Sequence, residues 1–296
     1  MSETRPGAGG RAFVALQRLL PQHGISRIVL ALTRSRSPGF KNALIKLFVR
    51  GFKPDMSDAV LTDPTAYPSF NEFFTRALRE GTRPIDADPA AIISPVDGTV
   101  SEAGSLDDDR LLQAKGHHYT LRALLAGNAG WERSFAGGSF ATIYLAPYNY
   151  HRIHMPLPGE LRESFYVPGK LFSVNRTTAQ LVPGLFSINE RVFCGFDAGG
   201  TPWAIILVGA LNVGSMATVW HGDVTPRKHR EVTPLPVTDL LSPITLPKGA
   251  EMGRFNMGST IILLLPPGAA TWKDSLVAGR TLRLGERIGT LRSWSP

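Results

Sequence analysis

Glu251-Met-Gly-Arg-Phe-Asn-Met-Gly-Ser-Thr260 runs without a break into the apolar strand Ile261-Ile-Leu-Leu-Leu265. At its centre is the Gly258-Ser259 bond, a hydroxyl nucleophile directly after a glycine-softened turn in which the backbone can take unusual dihedrals. Such a bond can be attacked by its own serine. Gly-Ser ahead of a strand is more often an ordinary turn, so any chemistry here depends on what the rest of the chain brings to it.

Working outward, the same texture recurs. Phe140–Leu145, Trp203–Val208 and Val213–Val219 are short apolar runs, and 30 Gly and 23 Pro are scattered between such runs. Many turns and short strands follow, hence a mostly β core. With 296 residues, 43% of them hydrophobic, the chain can bury a full core. The lone Cys194 excludes an internal disulfide and a cysteine-ligated zinc site. No tandem repeat or long low-complexity linker is present.

The net charge of +8 is uneven. Residues 1–54 carry Arg5, Arg11, Arg18, Arg27, Arg34, Arg36, Lys41, Lys46, Arg50 and Lys53 against the single acid Glu3, which leaves 22 basic and 23 acidic residues for the remainder. An anionic partner for the N-terminal part is expected. No apolar run reaches the length of a membrane span, and the first ten residues lack the apolar stretch of a secretory signal. Three amphipathic helices are predicted instead: Arg11–Leu20, Ser26–Thr33, and Gly39–Arg50 with Phe40, Ala43, Leu44, Leu47 and Phe48 on one face. Basic helices of this kind lie in the headgroup layer of anionic membranes. Nucleic acid fits less well, because large apolar residues stand where a phosphate-binding face would be polar. Docking on the core is the plainer alternative.

Tyr67–Arg79 reads as a further helix, capped by Ser69 or Asn71, with Phe73, Phe74, Ala77 and Leu78 inward. From Ile92 to Leu291 the pattern is strand-like, interrupted by a helix at Thr120–Ala126. Within it, Asp97-Gly98 is a turn, and Tyr150-His151-Arg-Ile-His154-Met-Pro156 places two histidines three apart. No Glu or Cys at metal-site spacing accompanies them, so packing or proton transfer suits them better than a metal. Taken together, Asp97, His154 and Ser259 offer an orienting carboxylate, a base and a nucleophile. Chain order alone does not establish contact.

Phe70-Asn-Glu-Phe-Phe74, Arg83-Pro-Ile-Asp86, Pro95-Val-Asp-Gly98, Gln113-Ala-Lys-Gly-His117, the Tyr150–Pro156 stretch, Val167-Pro-Gly-Lys-Leu-Phe-Ser-Val-Asn175, Asn189-Glu-Arg-Val192 and Gly253-Arg-Phe-Asn-Met-Gly-Ser-Thr260 occur in this order. In this set the chain resembles the pyruvoyl-dependent phosphatidylserine decarboxylases of bacteria and mitochondria, from about residue 40 onward. Met257 stands where bacterial members often have Leu, an exchange of similar volume.

The resemblance implies a precursor that cuts itself between Gly258 and Ser259, into a β chain 1–258 and an α chain 259–296. Ser259 would attack the Gly258 carbonyl, with Asp97 and His154 as its charge-relay pair, and would end as a covalent pyruvoyl group. That ketone would form a Schiff base with phosphatidylserine and accept the electron pair left as CO₂ departs, giving phosphatidylethanolamine. His151, in the same motif as His154, is the expected proton donor or relay. The implied architecture is α+β, a mainly antiparallel β core in residues 55–296 with membrane-binding helices in residues 1–54. The implied setting is that of a peripheral protein on the cytoplasmic face of a bacterial inner membrane, with αβ units paired as homodimers. Two other readings use the same residues: an inactive membrane-binding scaffold, or a serine hydrolase using Asp97, His154 and Ser259, against which stands the absence of a Gly-x-Ser-x-Gly elbow.

Overall fold

The computed structural model describes residues 7–114, 117–211, 215–224, 231–235 and 243–292. Its centre is the strand Ser259–Leu265, seven residues buried on both faces. Burial on both faces explains why this run is continuously apolar after Thr260 rather than alternating. It pairs antiparallel with Ser139–Leu145 on one side and Thr201–Val208 on the other, with Ser259 opposite Leu145 and Thr260 opposite Val208. The sheet extends through Gly98–Ser105 and Thr281–Leu282 on the first side. On the second it continues through Arg191–Ala198 and Gly159–Val167, with Thr233–Pro234 and Thr245–Leu246 at that edge, nine strands among the described residues. Each Ile or Leu so buried contributes roughly 1.5–3 kcal/mol.

A second, four-stranded antiparallel sheet lies in the order Gly222–Asp223, Met216–Thr218, Glu251–Phe255, Arg152–His154. The chain leaves it at Phe255 and enters the central strand at Ser259. The Gly258-Ser259 bond therefore lies at the crossing from one sheet to the other. The architecture is α+β with mostly antiparallel sheets and helices at the N-terminal end.

Helices α1 (Ala8–Leu19), α2 (Gln22–Thr33) and α3 (Pro38–Phe52) stand where the periodicity placed them. The buried residues are polar on α2 and mixed on α1 and α3, where Val14, Ile45 and Phe48 are buried as well. Gln17, Gln22, Ser26, Thr33 and Lys41 are buried, while Leu19 is 84% exposed, Leu47 69% and Ile28 62%. Docking is specific, because Gln17 Oε1 accepts the Ser173 N–H at 2.7 Å and Gln22 Oε1 accepts the Leu171 N–H at 2.8 Å. No helix among the described residues is long and apolar enough to cross a membrane.

Several expectations are corrected. Helix α4 covers only Phe70–Phe74, capped by Ser69, whose hydroxyl accepts the Glu72 N–H. Beyond it the chain pairs with residues 58–60 through Val60 N–H to Ala77 and Arg79 N–H to Asp58, so Ala77 and Leu78 leave the helix and are half-buried. The 120–126 helix shrinks to Leu121–Leu124. Helices at Ala129–Phe135, Arg176–Leu181 and Leu185–Ile188 interrupt what the sequence read as continuous strand. The Val213–Val219 strand is Met216–Thr218, with residues 213 and 214 outside the described residues, as are 115 and 116 of the Gln113–His117 motif.

Candidate active site

Ser259 pairs with Leu145 on one side of the central strand, pairing on the other side begins at Thr260 opposite Val208, and the Ser259 side chain is wholly buried. Its Oγ has no hydrogen-bond partner among the described residues. A buried hydroxyl without a partner costs free energy, a cost that Ser259 shares with Ser139, Thr142 and Thr260 nearby in the sheet; what sets Ser259 apart is its place directly after Gly258. Beside it, a Cβ placed on Gly258 would lie 3.4 Å from the Leu145 carbonyl oxygen and 3.5 Å from His151 Nε2. The imidazole next to the Gly258-Ser259 bond is thus that of His151.

His151 is held by two contacts. Its Nδ1–H donates to the Asn149 carbonyl at 2.9 Å, and its ring packs on Phe74 with centroids 4.1 Å apart. That bond fixes the tautomer, leaving a lone pair at Nε2, which is also buried and without a partner. Burial pushes the ring's pKa down to about 3, so it is neutral at physiological pH.

His154 is engaged elsewhere. Its Nδ1–H donates to the Gly249 carbonyl at 2.8 Å, and Nε2 lies 3.0 Å from the Tyr150 hydroxyl, which is then the donor. Burial lowers its pKa, with Glu251 and Asp97 opposing through their charges. Asp97 is committed to Arg83, which donates to it from Nε at 3.0 Å and from Nη2 at 2.7 Å, and to the Leu284 N–H at 2.8 Å. Gly98 completes this turn by necessity, since a Cβ there would meet Ile143 and the Tyr144 carbonyl oxygen at 2.7 Å. Asp97 and His154 are neighbours, for the His154 N–H bonds to Pro95 of the same turn, but no hydrogen-bonded chain Asp97–His154–Ser259 is formed. The structure sets His151 against Gly258, the residue before Ser259, and places Asp97 and His154 in a second cluster with Arg83 and Tyr150.

The segment before the scissile bond is held at Asn256, whose polar groups are all used. Its N–H donates to Ser215 O at 2.9 Å, and Asn71 Nδ2 donates to its carbonyl at 3.1 Å and to Oδ1 at 3.3 Å. Its own Nδ2 donates to Asp223 Oδ1 at 3.3 Å, and Asp223 is paired with Arg34, the residue that caps the end of α2. Met257 packs against two hydrophobic clusters, the main sheet core and a smaller one of Ile45, Phe48, Tyr67, Phe70, Phe73 and Phe74, and reaches an open apolar groove of about 430 Å³ between α2, α3 and α4, lined among others by Leu32, Phe40, Leu47 and Phe70. Sequence reasoning assigned no role to Arg83 or Tyr150 and read Asn71 only as a candidate helix cap, although all three lie within the quoted motifs. The signal available was Arg83 preceding the Asp97 turn within one motif-rich stretch.

A family profile described as Phosphatidylserine decarboxylase matches residues 70–290, and another described as PSD matches residues 12–53. A protein of Pseudomonas fluorescens named phosphatidylserine decarboxylase proenzyme is 50% identical over 279 residues, covering 94% of this chain and 97% of its own. Proteins of the same name are 50% identical in Azotobacter vinelandii, over 94% of this chain and 98% of theirs, and 51% identical in Bordetella avium, over 93% of each.

Proposed function

Because the chain belongs to the phosphatidylserine decarboxylase family, we propose that it is a precursor that cuts itself at Gly258-Ser259 and then converts phosphatidylserine to phosphatidylethanolamine and CO₂. The observation that carries this reading is the buried, partnerless Ser259 Oγ at the sheet-to-sheet crossing, directly after a Gly258 that the equally partnerless His151 Nε2 faces. In the uncut chain Ser259 is 0% exposed, which suits attack on its own backbone and disfavours hydrolysis of an external ester.

In the maturation step Oγ adds to the Gly258 carbonyl carbon, the peptide C–N bond breaks, and an ester replaces it. Elimination then removes the Ser259 Cα proton and breaks the Cβ–Oγ bond, releasing Gly258 as a carboxylate, and hydrolytic loss of ammonia leaves a pyruvoyl group. The residues fit such a group, since the position is buried, held by a rigid strand and flanked by a neutral imidazole. When present, the pyruvoyl group supplies a ketone that accepts the electron pair left on the substrate carbon as CO₂ departs.

The protein's own side chains do the rest. His154, tuned by the charge of nearby Asp97 and bonded to Tyr150, serves the cut, while Arg83 holds Asp97 in place. His151 serves decarboxylation: its Nε2 takes a proton from the arriving substrate ammonium and returns one to the carbon from which CO₂ has left. Neutrality favours this relay over a permanent acid.

Residues 1–54 form the membrane-associating part and 55–296 the catalytic part, cut into 1–258 and 259–296, and two such units pair. Outward apolar faces on α1–α3, interspersed with the exposed Arg11, Arg18, Arg27, Lys46 and Arg50, support a peripheral position on an anionic membrane surface. The groove reaching Met257 suits an acyl chain.

Denaturing mass spectrometry of the 32.1 kDa chain tests the reading. A fragment of roughly 4 kDa, about 17 Da lighter than the serine-started peptide, is expected, together with CO₂ release from phosphatidylserine vesicles. An uncut wild-type chain that releases no CO₂ would overturn it.

A further inference from the structure

Buried guanidinium groups in this fold are normally committed. Arg191 donates to the carbonyls of Leu124, Ala123, Ser187 and Asn189, and Arg83 to Asp97, Asp58 and Thr82. Arg76 departs from this. It is 3% exposed, yet its only hydrogen bonds run from Nη2, to the carbonyl oxygens of Tyr148 at 3.0 Å and Asn149 at 3.5 Å. Nε and Nη1 have no partner, and no carboxylate among the described residues forms an ion pair with it. Asp97 and Asp55 attract the charge from a distance, Arg83 repels it, and burial works against it. An unpaired cation with open donors is expensive to bury unless something else uses it.

Its position says what that is. The Asn149 carbonyl that accepts from Arg76 Nη2 also accepts from His151 Nδ1, so guanidinium and imidazole meet at one oxygen. Phe74, two residues before Arg76, carries the His151 ring, and His151 Nε2 faces Gly258. Phe70, at the start of the same short helix, lines the apolar groove that Met257 reaches. Helix α4 and its continuation thus link the groove to the reacting centre, with a free cation beside that centre.

Phosphatidylserine carries two oxyanions near its amine. A guanidinium on the carboxylate would stabilise the very charge that decarboxylation must remove, and would slow the step. The phosphodiester keeps its charge from substrate to product, so holding it costs nothing in the chemical step. Building on the decarboxylase reading, we propose that Arg76 is the binding residue for the phosphodiester of the phospholipid headgroup. The groove takes the lipid chain, Arg76 the phosphate, and Ser259 and His151 the serine moiety.

The test uses full-length wild type, Arg76→Gln and Arg76→Lys, each scored for the cut by mass spectrometry and assayed on phosphatidylserine in mixed micelles, with glycerophosphoethanolamine and ethanolamine as inhibitors. For Arg76→Gln the cut should proceed, kcat should stay within about threefold, and KM and the glycerophosphoethanolamine inhibition constant should rise together by roughly tenfold or more, with Arg76→Lys between. Ethanolamine inhibition should be unchanged. KM and that inhibition constant equal to wild type would overturn the proposal. So would loss of the cut with unchanged KM in the fraction that does mature, which would make Arg76 the partner of the new Gly258 carboxylate. Should neither variant fold, wild type decides: glycerophosphoethanolamine must bind well above ethanolamine, and equal affinities refute the site. An inactive, uncut wild type would instead fail the decarboxylase reading itself.

Discussion

Replacing Leu19, Ile28 and Leu47 together with Gln tests whether the outward faces of α1, α2 and α3 meet a membrane. These side chains are 84%, 62% and 69% exposed, so they contribute little to the fold and their loss should change stability by only about ±0.5 kcal/mol each. Full burial of such a side chain is worth roughly 2 kcal/mol, and the exposed fractions put about 1–2 kcal/mol at stake for each, near 4 kcal/mol for the three. With each 1.4 kcal/mol worth about tenfold, full immersion predicts nearly a thousandfold loss of vesicle partitioning, and half immersion still more than tenfold. Sedimentation with vesicles containing phosphatidylserine measures it, alongside thermal unfolding of the same samples. Residual binding of the triple variant should stay salt-sensitive, because the exposed basic residues are untouched. Unchanged partitioning of a normally folded triple variant would show that these faces do not enter the lipid.

The two histidines should separate cleanly. His154→Ala should remain a single uncut chain, whereas His151→Ala should be cut and lose decarboxylase turnover by at least about a hundredfold; His151→Ala that stays uncut would move the base of the maturation step to the imidazole beside Gly258. Leu263 is 2% exposed and lies between Ala141 and Ile205 in the central strand, so Leu263→Ala should cost about 2–5 kcal/mol in denaturant unfolding; a loss under about 1 kcal/mol would mean the strand is not the keystone described. Glu190 is buried, accepts from the Tyr166 hydroxyl at 3.0 Å and lies 3.9 Å from His23 Nδ1, and burial pushes its carboxyl up to about 7. The folded chain keeps this proton where the unfolded one has released it, so the contribution is full below about pH 4.5 and is lost as pH rises through 7. Glu190→Gln should therefore gain stability over wild type on the order of 3 kcal/mol at pH 8 and little at pH 4.5; parallel stability curves for the two proteins would refute the assignment.

The central strand was legible because an unbroken apolar run bounded by Gly258 and Pro266-Pro267 has few other folds available to it. Helices α1 to α3 were legible as stripes, but periodicity cannot say which stripe meets protein, and docking through Gln17 and Gln22 has no pattern to announce it. Helices at Ala129–Phe135 and Arg176–Leu181 are too short for a period to emerge; their signal was the Asn128 and Asn175 caps, which bond to the N–H groups of Trp131 and Thr178. At the site, Ser259 and the His151/His154 motif could be picked out by residue type. Which histidine faces Gly258 could not, since it depends on Asn149 and Phe74 fixing one ring while Gly249 and Tyr150 fix the other. Arg76 was invisible as a binding residue because only its surroundings, and not its type, set it apart.

Placing the Gly258-Ser259 bond between two sheets has a mechanical consequence for the proposed cut. On the Ser259 side, the chain is locked by the double pairing of Ser259–Leu265, and farther on Thr281–Leu282 pairs with Gly98–Thr99 and Arg287–Leu291 with Ala91–Ile93. The segment after the cut is thus woven through strands that belong to the segment before it. Breaking one peptide bond removes none of these hydrogen bonds and exposes none of the seven buried side chains. On the Gly258 side, Asn256 is fixed by Asn71, Ser215 and Asp223, and Met257 is wedged between the two hydrophobic clusters. The nucleophile therefore starts one sheet strand, while the Gly258 carbonyl follows directly on a segment anchored at Asn256, with only Met257 between. An intramolecular attack gains most when both partners are immobile before reaction, since the entropy of bringing them together was spent in folding. If the proposed cut occurs, the same arrangement would keep its two products in one molecule, with the group made from Ser259 still close to His151.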